Sequence, residues 1–471
     1  MISYSGRIRK PGRIVAPVLA LAIPLTVNAL DFKSGELWYT TISDTEVSVI
    51  IPVDEERYAG EISIPDNVTD ENGTEYRVVS IASGAFSASG LTSVHSTSSQ
   101  LTEIGDYAFF SCPDLQAVSF GDNLTYIGDR AFAYCPVLEK VELKGTYTIL
   151  PNQIFYGDTS LTEVRLSDGV SLIEEGAFRE CRSLAHFTLG CNVEKVGTSS
   201  FEGCASLNTL TIETPRIELG DYAFRSCSSL TTIYGFDAIA SGGVESFAGC
   251  STLSDLSFAG APSKMGDGCF ENCAAIESVI LDGPLVSIPA RAFSNCKSLD
   301  FVSTGFTVDA IGDMAFKSCP ALETVEINQS VRSVGAEAFR DCPALLHIYI
   351  DSTVPPFCPA VAFDRSTFAE ATLFVPKGLR ALYSQSGGWE NFLNIEETYE
   401  FPTHSGIDAV TTDGRGWRIE NGYVVSEDEA VAITIYEIGG MLKYKGLLKR
   451  GDLFMLDRGQ YIINGEAAYI P

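Results

Sequence analysis

A phenylalanine recurs at a fixed interval through most of this 471-residue chain, each one 23 residues after the last. The twelve positions in register are Phe86, Phe109, Phe132, Phe155, Phe178, Phe201, Phe224, Phe247, Phe270, Phe293, Phe316 and Phe339, and Phe363 follows one residue late. So regular a period predicts that each repeat is one structural unit, which buries its apolar face by stacking on its neighbours. The chain is therefore predicted to form a solenoid.

Other positions of the repeat divide each coil into short elements. Leucine usually stands six residues after the Phe, and apolar residues stand nine and eleven residues after it, as at Val118 and Phe120. The alternation around these positions predicts a short strand with one face turned inward. An apolar residue eighteen after the Phe predicts a second extended segment. A Gly-Asp pair often follows. The Gly predicts a tight corner, and the Asp is expected to cap a short helical turn that carries Ala, Phe and Cys.

This L-x-x-L-x-L rhythm is typical of leucine-rich repeats. The repeats resemble the BspA-type leucine-rich repeats of secreted and surface proteins in Bacteroides-like bacteria and some protists, over about residues 81–350. The predicted fold class is mostly β with short helical turns: a leucine-rich repeat solenoid of 23-residue coils, capped at both ends, plus a small C-terminal β-sandwich. The resemblance implies adhesion to host matrix proteins or to other cells.

Ten of the thirteen cysteines stand three residues after the repeated Phe, and Ser89 and Asp158 take this place in two other coils. Side chains stacked in one column point the same way with Cβ atoms roughly 5 Å apart, whereas a disulfide needs about 3.8 Å and converging vectors. A linear column also does not converge on a zinc ion or give each thiol its own base. We therefore expect free, buried thiols. Cys269 is also expected in the core, and Cys191 and Cys358 have no predicted role.

The N-terminus has the order of an export signal. Four basic residues between positions 7 and 13 precede the apolar run Ile14 to Val27, and small residues at 27–29 suit cleavage. The run is shorter than the roughly twenty residues that span a bilayer. Residues 1–29 are thus predicted to be a removable signal peptide, which makes the protein secreted or cell-surface, with no membrane insertion after the signal is removed.

Both ends of a solenoid need caps, because they expose apolar core. Residues 30–80 read as strands and turns with a hairpin signal at Asn72-Gly73, and they are predicted to form an N-terminal β cap. Residues 351–400 are predicted to form a C-terminal cap, in which Trp389 and Phe392 cover the last coil.

After a linker at 401–406, residues 406–471 alternate around turn signals and predict the small β-sandwich. This tail loosely resembles the C-terminal sorting or anchoring domains of Bacteroidetes exported proteins, although its last residues, "EAAYIP", depart from them, and a plain accessory domain fits equally well.

The composition argues against several classes of function. With 61 acidic and 32 basic residues the formal charge is −29, so nucleic acid is a poor partner. The chain has four histidines, and His186 and His347 occupy the same repeat position seven coils apart. No nucleophile, metal or phosphate-loop motif stands in a fitting context. We expect no catalytic residue, metal or cofactor, and therefore no enzyme.

A ligand is expected on the outward face of the strands, at the eighth and tenth residues after each Phe, because these positions are free to vary. One zone there is charged: Lys140, Glu142, Glu163 and Arg165 either bind a ligand or form ordinary cross-strand pairs. The other zone is apolar or aromatic and either binds a ligand or packs under the cap or C-terminal domain; it comprises Tyr234, Ile280, Phe301, His347 and Tyr349.

The sequence thus predicts an exported, non-catalytic recognition or adhesion protein. Its expected partner is a protein or glycan, host extracellular matrix included, and the protein is expected to be a monomer. The alternative is a structural spacer at the cell surface that has no specific ligand and leaves attachment to the terminal domain.

Overall fold

The computed structural model describes residues 29–398, apart from 55, 255–261 and 282, and the backbone of strands between residues 417 and 470. The predicted signal peptide, except its last residue, and the predicted linker lie outside the described residues. The described chain is mostly β, a solenoid with about 23 residues per turn, which confirms the predicted fold class. Its two α-helices are short, α1 (Arg365–Glu370) and α2 (Arg380–Tyr383). No helix among the described residues is long and apolar enough to cross a bilayer.

Twenty-nine strands are described before residue 399. The first fourteen are β1 (Asp31–Ser34), β2 (Leu37–Thr41), β3 (Glu46–Ile50), β4 (Ala59–Ser63), β5 (Asn67–Thr69), β6 (Glu75–Ile81), β7 (Gly90–Ser96), β8 (Glu103–Ile104), β9 (Ala117–Leu124), β10 (Tyr126–Ile127), β11 (Lys140–Gly145), β12 (Ile149–Leu150), β13 (Glu163–Arg165) and β14 (Leu172–Ile173). The others are β15 (His186–Leu189), β16 (Lys195–Val196), β17 (Thr209–Ile212), β18 (Ile217–Leu219), β19 (Thr232–Tyr234), β20 (Ile239–Ser241), β21 (Ser278–Ile280), β22 (Ser287–Ile288), β23 (Phe301–Ser303), β24 (Ala310–Ile311), β25 (Thr324–Ile327), β26 (Ser333–Val334), β27 (His347–Ile350), β28 (Thr372–Pro376) and β29 (Asn394–Thr398).

The strands form two parallel ladders on two sides of the solenoid. The described strands of the main ladder form three hydrogen-bonded groups, β4-β7-β9-β11-β13, β15-β17-β19 and β21-β23-β25-β27-β28-β29. The second ladder is made of the short segments β6-β8-β10, β12-β14-β16-β18-β20 and β22-β24-β26. Equivalent residues of successive coils lie directly beside each other, as Val118 does beside Val141 and Val141 beside Val164. The 23-residue period is therefore the register of the ladder.

The repeated phenylalanines form one continuous stack of rings through the core. Consecutive rings from Phe86 to Phe363 are stacked, with centroids 4.9–5.7 Å apart. This spacing follows the separation of neighbouring strands, about 4.8 Å. Phe363 belongs to the stack although it comes one residue late in sequence, because the extra residue lies before Phe357 and the ring keeps its place beside Phe339.

The third side of the solenoid, which carries the Phe, is a run of turns where the sequence predicts a helical turn. Residues two before and two after the Phe have positive φ, for example Tyr107 at 57° and Ser111 at 60° around Phe109. Alternate N–H groups then donate to the next coil, as Phe109 does to the Ala131 carbonyl at 2.7 Å. A helix needs φ near −63° at every residue. The alternation of positive and negative φ therefore replaces the hydrogen bonds of a helix with hydrogen bonds between coils.

The glycine and aspartate before the turn also act between coils. Gly312 has ordinary φ, and a Cβ on it would lie 2.6 Å from the backbone N of Ala290 in the preceding coil. The glycine is therefore required by close approach of two backbones, where the sequence predicts a tight corner. Asp313 accepts a hydrogen bond from the Ala336 N–H of the next coil at 2.7 Å, so it caps its neighbour and not its own turn.

Strands and aromatic side chains close the two ends. At the N-terminal end β1, β2 and β3 pair antiparallel, and β5 and β6 form the hairpin around Gly73. The Tyr58 ring packs against Phe86 at 4.9 Å. At the C-terminal end the rings of Trp389 and Phe392 lie 5.9 and 5.3 Å from Phe363, as the sequence predicts. The Trp389 indole also donates to the Pro356 carbonyl at 2.7 Å.

The C-terminal part contributes strands β30 (Trp417–Glu420), β31 (Tyr423–Ser426), β32 (Ala430–Glu437), β33 (Leu442–Lys449), β34 (Leu453–Met455), β35 (Gly459–Ile463) and β36 (Glu466–Ile470). They pair antiparallel in two sheets, β30-β31-β34 and β33-β32-β35-β36. The predicted turn signals at 421–422, 439–440 and 464–465 fall between these strands. A role in sorting or anchoring stays a prediction.

Candidate functional site

The outward side chains of the main ladder form a surface that we call the outer face. Within one strand burial alternates: Val141 and Leu143 are buried, whereas Lys140 is exposed and Glu142 partly exposed. The pleat of a β-strand turns successive side chains to opposite sides, so the eighth and tenth residues after each Phe from Phe109 to Phe339 share this face wherever they are described. The predicted site residues therefore all stand on one surface.

The charged zone of the outer face is a set of paired charges. Lys140 lies 3.9 Å from Glu163 on the neighbouring strand, and Arg165 lies 3.1 Å from the same carboxylate. Glu142 accepts from Lys144 at 3.0 Å, and this hydrogen bond lowers the pKa of the Glu142 carboxyl. The Lys140–Glu163 contact fits the cross-strand interpretation of the zone, whereas the other two pairs each lie within one strand. A binding role for Lys140 and Arg165 stays a prediction without further support.

The aromatic zone is brought together at its C-terminal end. The Tyr349 ring is stacked on Phe374 of β28, with centroids 4.4 Å apart and planes 9° apart, and the His347 ring lies 6.2 Å from the same Phe374. We call these three residues the aromatic stack. All three are partly exposed. Phe374 is missing from the sequence prediction because its coil has an insertion that shifts the count from Phe363. The alternation in "TLFV" does signal it, since Leu373 and Val375 are buried.

The other predicted aromatic positions do not form one patch with this stack. Ile280 and the partly exposed Phe301 stand on β21 and β23, and between them and Tyr349 the outward Ser303 and Glu326 are 1% and 4% exposed. Tyr234 is 60% exposed on β19, five coils or roughly 24 Å from Tyr349 by the strand spacing. The structure therefore joins His347 to Tyr349 and leaves Tyr234 at a distance.

A second aromatic cluster lies on the side of the turns, where sequence reasoning did not look. Tyr107 and Phe110 meet edge to face at 5.5 Å, and Phe110 meets Tyr134 in the same way at 5.5 Å. Tyr134 in turn contacts Tyr156 at 5.0 Å, and the Arg130 guanidinium lies 5.7 Å over the Tyr107 ring. The signal in the sequence is aromatic residues two before and one or two after the core Phe. The cation–π contacts stabilise the edge of the solenoid.

The cysteine column has a single structural role. In ten coils the thiol donates to the carbonyl of the Phe in the preceding coil, as Cys112 does to Phe86 and Cys204 to Phe178, both at 3.1 Å. The ten S–O distances range from 3.1 to 3.5 Å. All thirteen cysteines lie in the described part of the chain and are free, and twelve are buried. The column therefore satisfies backbone carbonyls and links neighbouring coils.

Burial should also shield these thiols from reagents. It raises the pKa of Cys296 and of Cys358 to about 12, so neither forms a thiolate at neutral pH. Cys112 differs, because a hydrogen bond with Cys135 lowers the pKa of its thiol to about 7, and its protection depends on burial alone. Cys191 is the one exposed thiol. We expect native protein to react rapidly with one equivalent of Ellman's reagent at pH 8, and the remaining thiols to react only in denaturant. Cys191→Ser should abolish the rapid phase, and rapid labelling of several thiols in that variant would contradict the column.

The sequence matches the model for the BspA type leucine rich repeat region in three overlapping segments, residues 79–208, 148–275 and 263–373. These segments cover more than half of the chain. The chain belongs to the BspA-type leucine-rich repeat family. No curated protein matches it in sequence.

Several solved structures are similar to this BspA-type protein. A leucine-rich repeat protein from Bacteroides ovatus is 23% identical, with a TM-score of 0.55, and the match covers 78% of this chain and all of that one. A leucine rich cell surface protein from Faecalibacterium prausnitzii is 22% identical, with a TM-score of 0.40 and coverage of 69% and 95%. The pneumococcal vaccine antigen PcpA is 17% identical, with a TM-score of 0.43 and coverage of 79% and 99%. At these identities the first comparison supports the fold alone.

The titratable side chains that the structure describes in this BspA-type solenoid are spread along its length. Among the described residues, no three His, Cys, Asp or Glu side chains are grouped so that they could hold a metal ion. His95 lies 3.8 Å from Glu61, and both side chains are largely exposed. His186 and His347 stand on β15 and β27, far apart along the main ladder. What the described surface offers is a set of extended faces suited to recognition.

Proposed function

We propose that this chain is an exported, non-catalytic recognition protein of a bacterial cell surface, which binds a protein or a glycan through its outer face. The observation that carries the proposal is the aromatic stack of His347, Tyr349 and Phe374. Partly exposed aromatic rings are the usual anchors of binding surfaces, because they bury a large area and lose little conformational freedom. Membership of the BspA-type family supports the proposal, because such repeats keep one buried core and leave the outward positions free to vary.

The stack is already ordered before a ligand arrives. Tyr349 and Phe374 lie on hydrogen-bonded neighbouring strands, where they are direct cross-strand partners. Their backbones are fixed by the ladder, and their rings support each other at 4.4 Å. A ligand that packs on these rings would cause little further loss of side-chain conformational entropy, which is one of the costs that limit affinity. Tyr234 is the second candidate contact on the same face, for a ligand long enough to reach across five coils.

Export and adhesion rest on different support. The basic and apolar segments in residues 1–29 have the order of a signal peptide. The leucine rich protein from Faecalibacterium prausnitzii is named as a cell surface protein. Adhesion to matrix proteins or to other cells would place the partner outside the cell. The acidic composition fits this, because a negatively charged chain disfavours nucleic acid as a partner.

The test is a binding screen of the mature protein, residues 30–471, on arrays of matrix proteins and glycans. For a ligand found in this way, we expect Tyr349→Ala and Phe374→Ala each to weaken binding at least tenfold, because each removes one ring of the stack. Tyr126→Ala is the matched control: Tyr126 is 49% exposed but stands on the second ladder. Equal binding by all three variants would refute the aromatic stack as the site, and no ligand on any array would favour the spacer.

A further inference from the structure

The main ladder is interrupted between β13 and β15, although the coils that carry these strands are adjacent. Between seven other pairs of adjacent coils, the seventh residue after the Phe donates its N–H to the carbonyl of the equivalent residue in the preceding coil. Thr162 donates in this way to Glu139 at 3.0 Å, and Asn208 to Ala185 at 2.8 Å. The corresponding bond, from Ala185 to Thr162, is not made, and no pairing joins β13 to β15, all of whose residues are described. Two inner strand edges therefore face each other unpaired.

The opening is confined to this side of the coil. On the side of the turns the Phe155 N–H donates to the Ala177 carbonyl at 2.9 Å, and the Cys181 thiol donates to the Phe155 carbonyl at 3.2 Å. On the second ladder β14 pairs with β12 and β16 in regular register. The two coils are thus held together at two corners and separated at the third, like a wedge.

Phe187 accounts for the wedge. It stands nine residues after the core Phe, where the neighbouring coils have Val141, Val164 and Leu210. Its larger ring packs edge to face or tilted against both Phe178 and Phe201, at 4.9 and 4.8 Å. The ring thus packs toward the coil of Phe201, and it holds β15 against β17 and away from β13.

The wedge leaves a cavity of 390 Å³ between the two strands. Its lining is mixed. The apolar part includes Val164, Leu166 and Phe187, which are partly exposed where their counterparts Val141 and Leu143 are buried, and the polar part includes Ser167, His186 and Thr188. Its rim carries the exposed carboxylates Asp168 and Glu213. A volume of this size is within the range of ligand sites.

We propose that this gap is a binding site for an extended peptide segment of a partner protein, which adds a strand between β13 and β15. The unpaired backbone groups on both walls call for an occupant with its own N–H and carbonyl groups, because unpaired backbone groups are costly once water is excluded. The apolar part of the cavity takes one aliphatic side chain of the peptide. The acidic rim favours basic residues beside it. The site is separate from the aromatic stack and does not depend on the function proposed for it.

The test uses the full-length mature protein and a library of decapeptides that alternate valine or isoleucine with lysine, threonine or glutamate. In the free protein we expect the Ala185 amide to exchange its hydrogen at least a hundredfold faster than the Asn208 amide. A lysine-bearing peptide should bind, should slow exchange at Ala185, and should bind at least tenfold more tightly than its glutamate counterpart. The same peptide with proline at its central position should not bind, because proline lacks the N–H.

Phe187→Val is the matched variant, since it restores the side chain found in neighbouring coils and should let β13 and β15 pair. We expect it to protect Ala185 without any peptide and to weaken peptide binding at least tenfold. Phe187→Leu provides a second variant if the first folds poorly. Slow exchange at Ala185 in the free wild type, no binding by any library peptide, or equal peptide binding by the Phe187 variants would each overturn the proposal.

Discussion

Replacing Trp389 by alanine is expected to lower the free energy of unfolding by about 3–5 kcal/mol, the usual effect of truncating a large buried aromatic side chain. The Trp389 side chain is fully buried and packs against Phe363 and Phe392. It covers the end of the ring stack, so its loss exposes the last coil to water. Urea denaturation followed by circular dichroism gives the change in free energy.

Two controls separate the packing of Trp389 from its hydrogen bond. Trp389→Phe keeps most of the packing but leaves the Pro356 carbonyl without its 2.7 Å donor, which should cost about 1–3 kcal/mol. Because long repeat arrays can unfold without full cooperativity, hydrogen exchange should show the loss of protection beginning at the C-terminal coils. A Trp389→Ala variant as stable as wild type, or one that loosens first at the N-terminal end, would show that Trp389 does not cap the solenoid.

Replacing Asp158 by cysteine is expected to stabilise the protein at pH 8 by about 1–3 kcal/mol, the cost of a buried polar atom without a partner. Asp158 occupies the cysteine column and is fully buried. Its Oδ1 accepts from the Cys135 N–H at 2.7 Å, whereas its buried Oδ2 has no hydrogen-bond partner. A thiol at this place should donate to the Phe132 carbonyl, as ten other thiols do to theirs.

The same residue should make stability depend on pH. Burial raises the pKa of the Asp158 carboxyl well above its ordinary value, so the folded state holds a proton that the unfolded state has lost. The stabilisation from this proton is complete below the unfolded pKa, about 3.9, and is lost as pH rises through the raised folded pKa. Protonated Oδ2 can donate in place of the thiol. Wild-type stability should therefore fall, relative to Asp158→Cys, as pH rises from 4 to 8.

Chemical denaturation of both proteins at a series of pH values measures this difference. Asp158→Asn is the matched control, since it keeps the shape of the side chain and does not titrate. Its stability relative to Asp158→Cys should be independent of pH over the same range. Parallel curves for wild type and Asp158→Cys would mean that the carboxyl at position 158 does not change its protonation on folding.

Much of the fold follows from the sequence because the solenoid is periodic. The 23-residue period from Phe86 to Phe339 fixes most of the ladder register, so columns of Phe, Cys and outward residues can be identified without coordinates. The free thiols follow from the same argument, as Cys112 and its equivalents show. The sequence allows two interpretations of the charged zone, and the 3.9 Å contact of Lys140 with Glu163 on the neighbouring strand supports cross-strand pairing.

The candidate site was less predictable, because it depends on departures from the period. Phe374 lies beyond an insertion, so counting from the core Phe does not place it next to Tyr349. The gap at Phe187 arises from one side chain larger than its column allows, and a pattern that accepts any apolar residue at that position cannot show it. Sequence predicts which side of the strand Phe187 faces, and packing determines how far apart the strands lie.

By itself, the sequence determined the coil length, the inward and outward faces and the thiol column, since each depends only on spacing along the chain. The tertiary structure decided three further points: left-handed residues such as Tyr107 replace the helical turn, Gly312 is required by a neighbouring backbone, and β13 and β15 stay apart. All three are set by contacts between coils. Such contacts join residues about one repeat apart, and their geometry depends on side-chain volume, which no single repeat reveals.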